Sequence, residues 1–561
     1  MKGKALVAAL AVLFLAATLP GQIFAQAPDT VVVPYMIDGN PLGAINKFIM
    51  GDTTATGERV NPNRVYKLER GKIYFFDATM EVYFDLKLIA DDDDPDNPTP
   101  PPILARGILP DGSSPGTLIK LMSGNGYFKN LYFHAVRPDQ QPPGWTTCVQ
   151  LRADSARYVF ENCVFDAWGG TAVRNYANWT KTYIYDCVFR NMIHPTGWFG
   201  GSCYLSNPVP TDTIVMINNT EFNCGSYLYV PNREINRYSR IEHNTVFTTH
   251  VNVFYAPYVS NVTYANNILY SVCTMAQRDV EIEGGWFDWD GEISGIVSID
   301  TIPPDIASRE GITEADRRVW FLNNEYFWPQ KVKDFWASAD TLTPPVWIND
   351  RTKAMLNDKE HWPNFKVEGN IEADPGFNDE MMTVVDSLLK YCRLLRTGQQ
   401  QDYRHYYDPD HDLFAVQWPL PEDLTYSNTA LMTAGTDGLP LGDLNWYPDK
   451  KAEWVTSVKQ DPKQSHILPS NYTLSQNYPN PFNPVTTIYY RLSKKEHVKL
   501  GIYNMRGQLV KMLVDKDVPA GVHSVKWDGT DESGSRVSSG VYIYRMEAGN
   551  FRASRHMIFL K

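Results

Sequence analysis

One short pattern recurs between residues 127 and 327, and it limits the fold more than any other feature of the chain. An apolar or aromatic residue is followed three positions on by Asn or Asp, and three further on by an aromatic. The instances are Tyr127-Asn130-Phe133, Val159-Asn162-Phe165, Tyr183-Asp186-Phe189, Met216-Asn219-Phe222, Ile241-Asn244-Phe247, Tyr264-Asn267-Tyr270 and Phe321-Asn324-Phe327. Successive Asn/Asp positions lie 32, 24, 33, 25, 23 and 57 residues apart. A unit of about 24 residues, sometimes lengthened by a loop, marks a solenoid. The residues around each motif are β-branched or aromatic, so the unit is built of strands. Asn tolerates the left-handed backbone of a sharp bend, and stacked Asn side chains can bond along the axis as a ladder. The expected body is a right-handed parallel β-helix similar to the pectate-lyase-like fold. The aromatic of each motif is expected to stack inside the coil, with Phe222 between Phe189 and Phe247.

Earlier coils are expected from the strand-like runs Val65–Leu68, Ile73–Phe76, Val82–Phe84, Ile103–Ala105 and Leu118–Leu121, and a degraded last coil from residues 367–377. The open ends of a solenoid need covers. Residues 30–60 are expected over the first end. Asp379 to Arg396 carries apolar residues at helical spacing before Gly398 and is expected as a helix over the second. The seven cysteines fit no zinc spacing. Cys163 and Cys187 follow the bend residue in consecutive coils and are expected to stack about 4.8 Å apart, one strand repeat, without requiring a disulfide.

The last 92 residues, Ser470 to Lys561, read differently. They contain Tyr478-Pro479-Asn480-Pro481-Phe482-Asn483-Pro484, Ile502-Tyr503-Asn504-Met505-Arg506-Gly507, Ala520-Gly521-Val522-His523, Ser539-Gly540-Val541-Tyr542-Ile543-Tyr544-Arg545 and the end Met557–Lys561. Ile488, Tyr490 and Leu492, like Val498, Leu500 and Ile502, alternate with other residues at the period of half-buried strands. Motif for motif, this tail resembles the C-terminal (type A) sorting module of type IX secretion cargo, an immunoglobulin-like β-sandwich related to a flagellar hook-capping domain. The resemblance implies an export address and a partner, the type IX secretion machinery. It places the protein outside the cell or on the outer-membrane surface, and leaves any chemistry to the body upstream. The segment Gly435–Tyr447 resembles one that often closes the β-helix part of such proteins.

The expected organisation is a signal peptide over 1–25, the capped β-helix over 26–447, a polar linker over 448–469 and the all-β sorting sandwich over 470–561. Lys2 and Lys4, the apolar run Ala5–Leu19 and Ile23-Phe24-Ala25 make a removable signal, too short to anchor, so no transmembrane segment is expected in the mature chain. The chain carries a net charge of −12. With the basic signal and tail set aside, the body holds about −20, which argues against a nucleic-acid partner. It also argues against an acidic polysaccharide unless a local basic groove or a metal intervenes.

Serine-nucleophile, P-loop and dinucleotide motifs are absent. The interruption between Asn267 and Asn324 contains Glu281, Glu283, Trp286, Phe287, Asp288, Trp289 and Asp290. Aromatic faces stack on sugars and carboxylates bond hydroxyls, so Trp286, Asp288, Trp289 and Asp290 are candidate carbohydrate contacts. The alternative is that they pin the loop to the coil. Asp408, Asp410 and Asp412 alternate like a calcium loop, but Leu413 and Pro419 stand where such a loop needs Gly and Glu. The run Asp91–Asp94 reads as a solvated loop or a cation site. Basic residues Lys181, Arg233, Arg237 and Arg240 receive no role. Polysaccharide contact, a non-catalytic adhesion role, and a lyase or glycoside hydrolase all remain open.

Overall fold

The computed structural model describes residues 29–458 and 473–560 apart from short stretches, chiefly 230–233, 285–292, 399–405 and 408–412. The expected signal peptide, the second half of the linker, Trp286, Asp288, Trp289, Asp290, Asp408, Asp410 and Asp412 lie outside the described residues.

Bend residues set the coil. Asn130, Asn162, Asp186, Asn218, His243, Asn266 and Asn323 all have left-handed backbone, with φ between 50° and 61°. Each ends a strand of one long sheet and turns the chain into the next. Repeated, this winds residues 30–372 into three parallel sheets of eleven, ten and seven strands. The first sheet runs from Thr30–Val32 to Phe365–Glu368, the second from Ile73–Phe76 to Ile371–Glu372, and the third from Met80–Val82 to Phe254–Tyr255. Every pairing in these sheets is parallel, one coil above another. The body is a parallel β-helix.

The motif itself slips by one residue within the solenoid. In the first three coils its Asn or Asp is the left-handed bend residue. From the fourth onward, that residue is the one before: Asn218, His243, Asn266 and Asn323. The motif Asn then points inward. Asn219 donates to Asn244 Oδ1 at 2.9 Å, Asn244 to Asn267 at 2.9 Å, Asn267 to Asn324 at 2.8 Å, and Asn324 to Asn370 at 2.9 Å. This is the expected ladder. Upstream its place is taken by the thiols: the Cys163 amide donates to Cys187 Sγ at 3.4 Å.

The slip corrects the expected aromatic stack. Phe133, Phe165 and Phe189 do stack, with centroids 4.9 and 5.0 Å apart. Across the next step, however, Phe189 pairs with Glu221 and Arg190 with Phe222. Phe222 therefore does not lie on Phe189. It heads a second stack, Phe222–Phe247–Tyr270, spaced 5.4 and 5.2 Å. Side chains alternate across a strand, so this stack faces out of the coil, and Tyr407 and Phe377 cover it edge-on.

The covers also differ from expectation in part. At the first end, Thr30–Val32 adds an edge strand, and the helix Ala44–Gly51 buries Ala44, Ile45 and Ile49. The helix Asp379–Thr397 forms as expected, started by the Asn378 side chain on the Met381 amide and ended by left-handed Gly398. It does not close the second end. Tyr391 bonds the His194 carbonyl at 2.5 Å, Arg396 the Ala276 carbonyl at 2.6 Å, and Lys331 the Met382 carbonyl at 2.8 Å. Those partners belong to several successive coils, so the helix lies along the flank.

After it, residues 413–447 run over the outer face of the second sheet. Leu413 packs with Ile103, Tyr132 and Val164, His243 meets Asp437 at 2.9 Å, and Thr220 bonds Asp443 at 2.7 Å. The interruption 271–320 is partly wall: its strand Gly295–Val297 pairs with Val346–Ile348 and buries Ile296, Val297 and Ile299 where the third sheet has ended. The expected linker opens with a helix, Pro448–Val458.

In the second unit, from residue 452 onward, the strands of both sheets pair antiparallel, and an isolated parallel bridge joins Phe482 to Phe559. A three-stranded sheet (Thr473–Leu474, Thr486–Leu492, Gly521–Trp527) and a four-stranded sheet (Leu509–Val518, Glu496–Asn504, Gly540–Ala548, Phe551–Phe559) enclose Ile488, Leu500, Ile502, Trp527, Tyr544 and Phe559. Among the described residues, no helix is long and apolar enough to cross a membrane.

Candidate polysaccharide-binding face

The first sheet leaves one long face partly exposed. Its inward positions, such as Phe160, Ile184, Ile214, Ile241 and Phe321, are buried. The outward positions form rows in register. One row is Tyr127, Val159, Tyr183, Val215, Arg240, Thr263, Trp320 and Lys366. A neighbouring row is Arg157, Lys181, Thr213, Tyr238, Asn261 and Arg318. On the other side run Lys129, Glu161, Tyr185, Ile217, Glu242, Ala265, Leu322 and Glu368. At one strand repeat per step, the longest rows extend about 34 Å.

Aromatics and cations are interleaved on this face. Arg157 lies 4.3 Å over the Tyr183 ring, and Arg318 4.1 Å over Trp320. Arg318 is further held by Asn261 at 2.9 Å and Thr263 at 3.0 Å. Tyr127 donates to Glu161 at 2.9 Å, and Arg240 to Glu242 at 2.6 Å. These contacts fix the rings and the guanidinium planes before any ligand arrives. Burial pushes the phenols of Tyr183 and Tyr238 up, so both present neutral hydroxyls. The three rows hold six cations (Lys129, Arg157, Lys181, Arg240, Arg318, Lys366) against three carboxylates (Glu161, Glu242, Glu368). A locally basic strip thus lies on an acidic body.

Two of the basic residues left without a role, Lys181 and Arg240, belong to this face. Arg237 does not: it stacks on Trp179 at 3.7 Å and pairs with Glu310 at 2.8 Å. Arg233 lies outside the described residues. Glu281, grouped with the loop aromatics, is fully buried between Arg278 and Arg396, at 2.8 and 2.5 Å, and meets no solvent. Asp91 and Asp93 pair with Lys67 and Arg70 at 3.1 and 3.0 Å, and Trp418 bonds Asp93 at 2.7 Å, so the acidic run anchors chain segments.

The face is not legible in the repeat because its leading residue falls into two classes. Tyr127, Val159 and Tyr183 point out, whereas Met216, Ile241, Tyr264 and Phe321 point in, on the far side of the slip. The signal was present in the alternation around each bend. Read from the left-handed residue, position minus three is outward in every coil.

A second group of polar side chains converges on the outer face of the second sheet. Tyr132 donates to Asp166 at 2.5 Å, Arg190 meets Asp166 at 2.8 Å and also Glu422, and His134 lies 3.9 Å from Asp166. Burial opposes the charge of Arg190, but the two carboxylates outweigh it and hold the guanidinium protonated. All five side chains are buried: Glu422 reaches in from residues 413–447, and the other four lie beneath that segment. With that segment docked, no polymer reaches them. Such a sealed ion cluster locks the segment down, and removing one partner of a buried pair costs about 3–5 kcal/mol.

The antiparallel unit can be placed by comparison. Residues 483–550 match the FlgD Ig-like domain. That assigns the sandwich and agrees with the tail motifs. Among solved structures, the chain aligns with dimeric latent PorU from Porphyromonas gingivalis at 21% identity over 16% of this chain and 9% of that one, with a TM-score of 0.14. It also aligns with PorZ, described as an essential surface component of the type IX secretion system of the same organism, at 20% identity over 16% and 12%, with a TM-score of 0.13. The chain therefore spans about a tenth of the length of the solved structures it matches. No curated protein matches it.

Proposed function

We propose that this is an exported surface protein whose β-helix binds polysaccharide along the outer face of its first sheet, with the C-terminal sandwich as its type IX export address. The observation that carries this reading is the set of in-register rows that bring aromatic rings and cations side by side on a partly exposed sheet. Sugar rings stack on aromatic faces, and cations on the same strip favour a polymer bearing carboxylate or sulfate groups. The acidic body opposes such a ligand elsewhere, so the strip selects the place of binding. The polar groups that could act as acid and base on the second sheet are sealed, so binding without cleavage is the role supported. Trp286, Asp288, Trp289 and Asp290 remain part of this proposal through their composition alone.

A glycan array that includes uronic-acid and sulfated polymers, run beside a reducing-sugar and unsaturated-product screen, tests it. Binding to acidic glycans with no new ends supports the reading. Chain cleavage, or an array with no binder among acidic polymers, defeats it.

A further inference from the structure

The inward column of the second sheet reads Phe133, Phe165, Phe189, Glu221, Val246, Leu269. One carboxyl group stands in an apolar stack. Glu221 is fully buried, and neither of its oxygens meets a hydrogen-bond donor other than the neighbouring Cys224 thiol. Leaving a polar group dry and unpaired inside a protein is costly. What it faces is a pair of buried thiols. Cys203, from the third sheet, and Cys224, three residues beyond Glu221 on the same strand, hold sulfurs that lie with a Glu221 oxygen within 4.8 Å of one another. Cys273, also buried, is near enough to feel the Glu221 charge.

We propose that Cys203, Glu221 and Cys224 bind a thiolate-preferring divalent cation of the zinc class inside the coil. Two thiolates on one zinc ion sit about 3.8 Å apart at the usual zinc–sulfur distance of about 2.3 Å. The two sulfurs lie within 4.8 Å of each other, so they need to close by at most about 1 Å to reach that geometry. Two sulfurs and one oxygen form the mixed donor set that zinc accepts, and hard cations such as calcium do not take thiolates. Each donor binds deprotonated, so protons leave to solvent as the ion enters, and a dication then cancels two of the three negative charges. A disulfide between Cys203 and Cys224 would satisfy the sulfurs but leave Glu221 with no partner, which is why a metal accounts for more of the site.

The test uses the full chain, refolded under a non-thiol reductant with zinc or with a chelator, then dialysed and assayed for metal. One zinc retained per chain is expected. Glu221→Gln and Cys224→Ser should each lower retained zinc at least tenfold, while Cys148→Ser, a buried cysteine outside the cluster, should leave it unchanged. Should the variants fail to fold, cobalt decides on the unaltered chain. Cobalt refolded into it should give the intense near-ultraviolet thiolate-to-cobalt band of a two-sulfur site. No retained zinc and no such band, zinc retained equally by Glu221→Gln, or a Cys203–Cys224 disulfide in peptides of the native protein would each overturn the proposal.

Discussion

Replacing Asn267 with Ala removes one rung from the middle of the Asn ladder, and the structure sets the size of the loss. The Asn267 side chain donates to Asn324 Oδ1 and to the Ile241 carbonyl, at 2.8 and 3.0 Å. Its own oxygen accepts from the Asn244 amide and the Asn244 side chain, both at 2.9 Å. After truncation, the Asn244 side chain keeps Met216 and Glu242 carbonyls, and Asn324 Oδ1 keeps the Asn267 amide. The Asn244 amide and the Ile241 carbonyl keep no partner at the vacated position. Asn244 and Ile241 are buried, so water does not replace the missing bonds. At about 1–3 kcal/mol for each of the two stranded groups, the loss comes to about 2–6 kcal/mol. Asn370 makes the same kind of contacts at the last rung but is only partly buried. Water can substitute there, so Asn370→Ala should cost about 1 kcal/mol or less. Denaturant titration of both variants, with native-state hydrogen exchange at the Asn244 amide, measures the difference. Equal costs at the two rungs, or unchanged exchange at Asn244 in Asn267→Ala, would refute the reasoning.

Three further outcomes follow from the same geometry. Phe165, stacked on both sides inside the coil, should lose about 3–5 kcal/mol as Phe165→Ala, and Phe222→Ala should in addition free Tyr407, so tyrosine fluorescence should change in the second variant and not in the first. Burial raises the Asp443 carboxyl to about 7 from 3.8, so the docking it gives residues 413–447 is fully present below pH 3.8 and is lost as pH rises through about 7; Asp443→Asn should flatten the dependence of stability on pH across that window. Mass spectrometry of protein recovered from producing cells should find an N-terminus near Gln26 and a C-terminus between about residues 449 and 475 if the tail is a removed sorting module; intact Lys561 on most extracellular molecules would contradict that.

The solenoid was legible because its period is carried by a residue with a backbone reason to recur. Asn at a left-handed bend and a β-branched or aromatic flank leave few alternatives. What the sequence hid was the phase. Asn130 and Asn219 look alike in the motif, yet one is the bend and the other its inward neighbour. A shift of one residue moves every side chain to the opposite face. That is why Phe222 was expected in the wrong stack, why Glu221 went unnoticed among the phenylalanines, and why Tyr183 and Trp320 were not recognised as members of one outward row. The helix Asp379–Thr397 was readable from its spacing and caps, but its docking place was not, since an apolar stripe records that a partner exists and not where it lies. The cover over the second sheet was invisible because Leu413, Glu422 and Asp443 meet partners more than two hundred residues away.

The binding face is tested most directly by affinity electrophoresis of the full chain through gels cast with an acidic polysaccharide identified on the array. The unaltered protein should be retarded in proportion to the polymer, and Tyr183→Ala/Arg318→Ala/Trp320→Ala should lose at least tenfold in affinity while keeping its unfolding midpoint. Equal retardation of the two proteins would contradict the account.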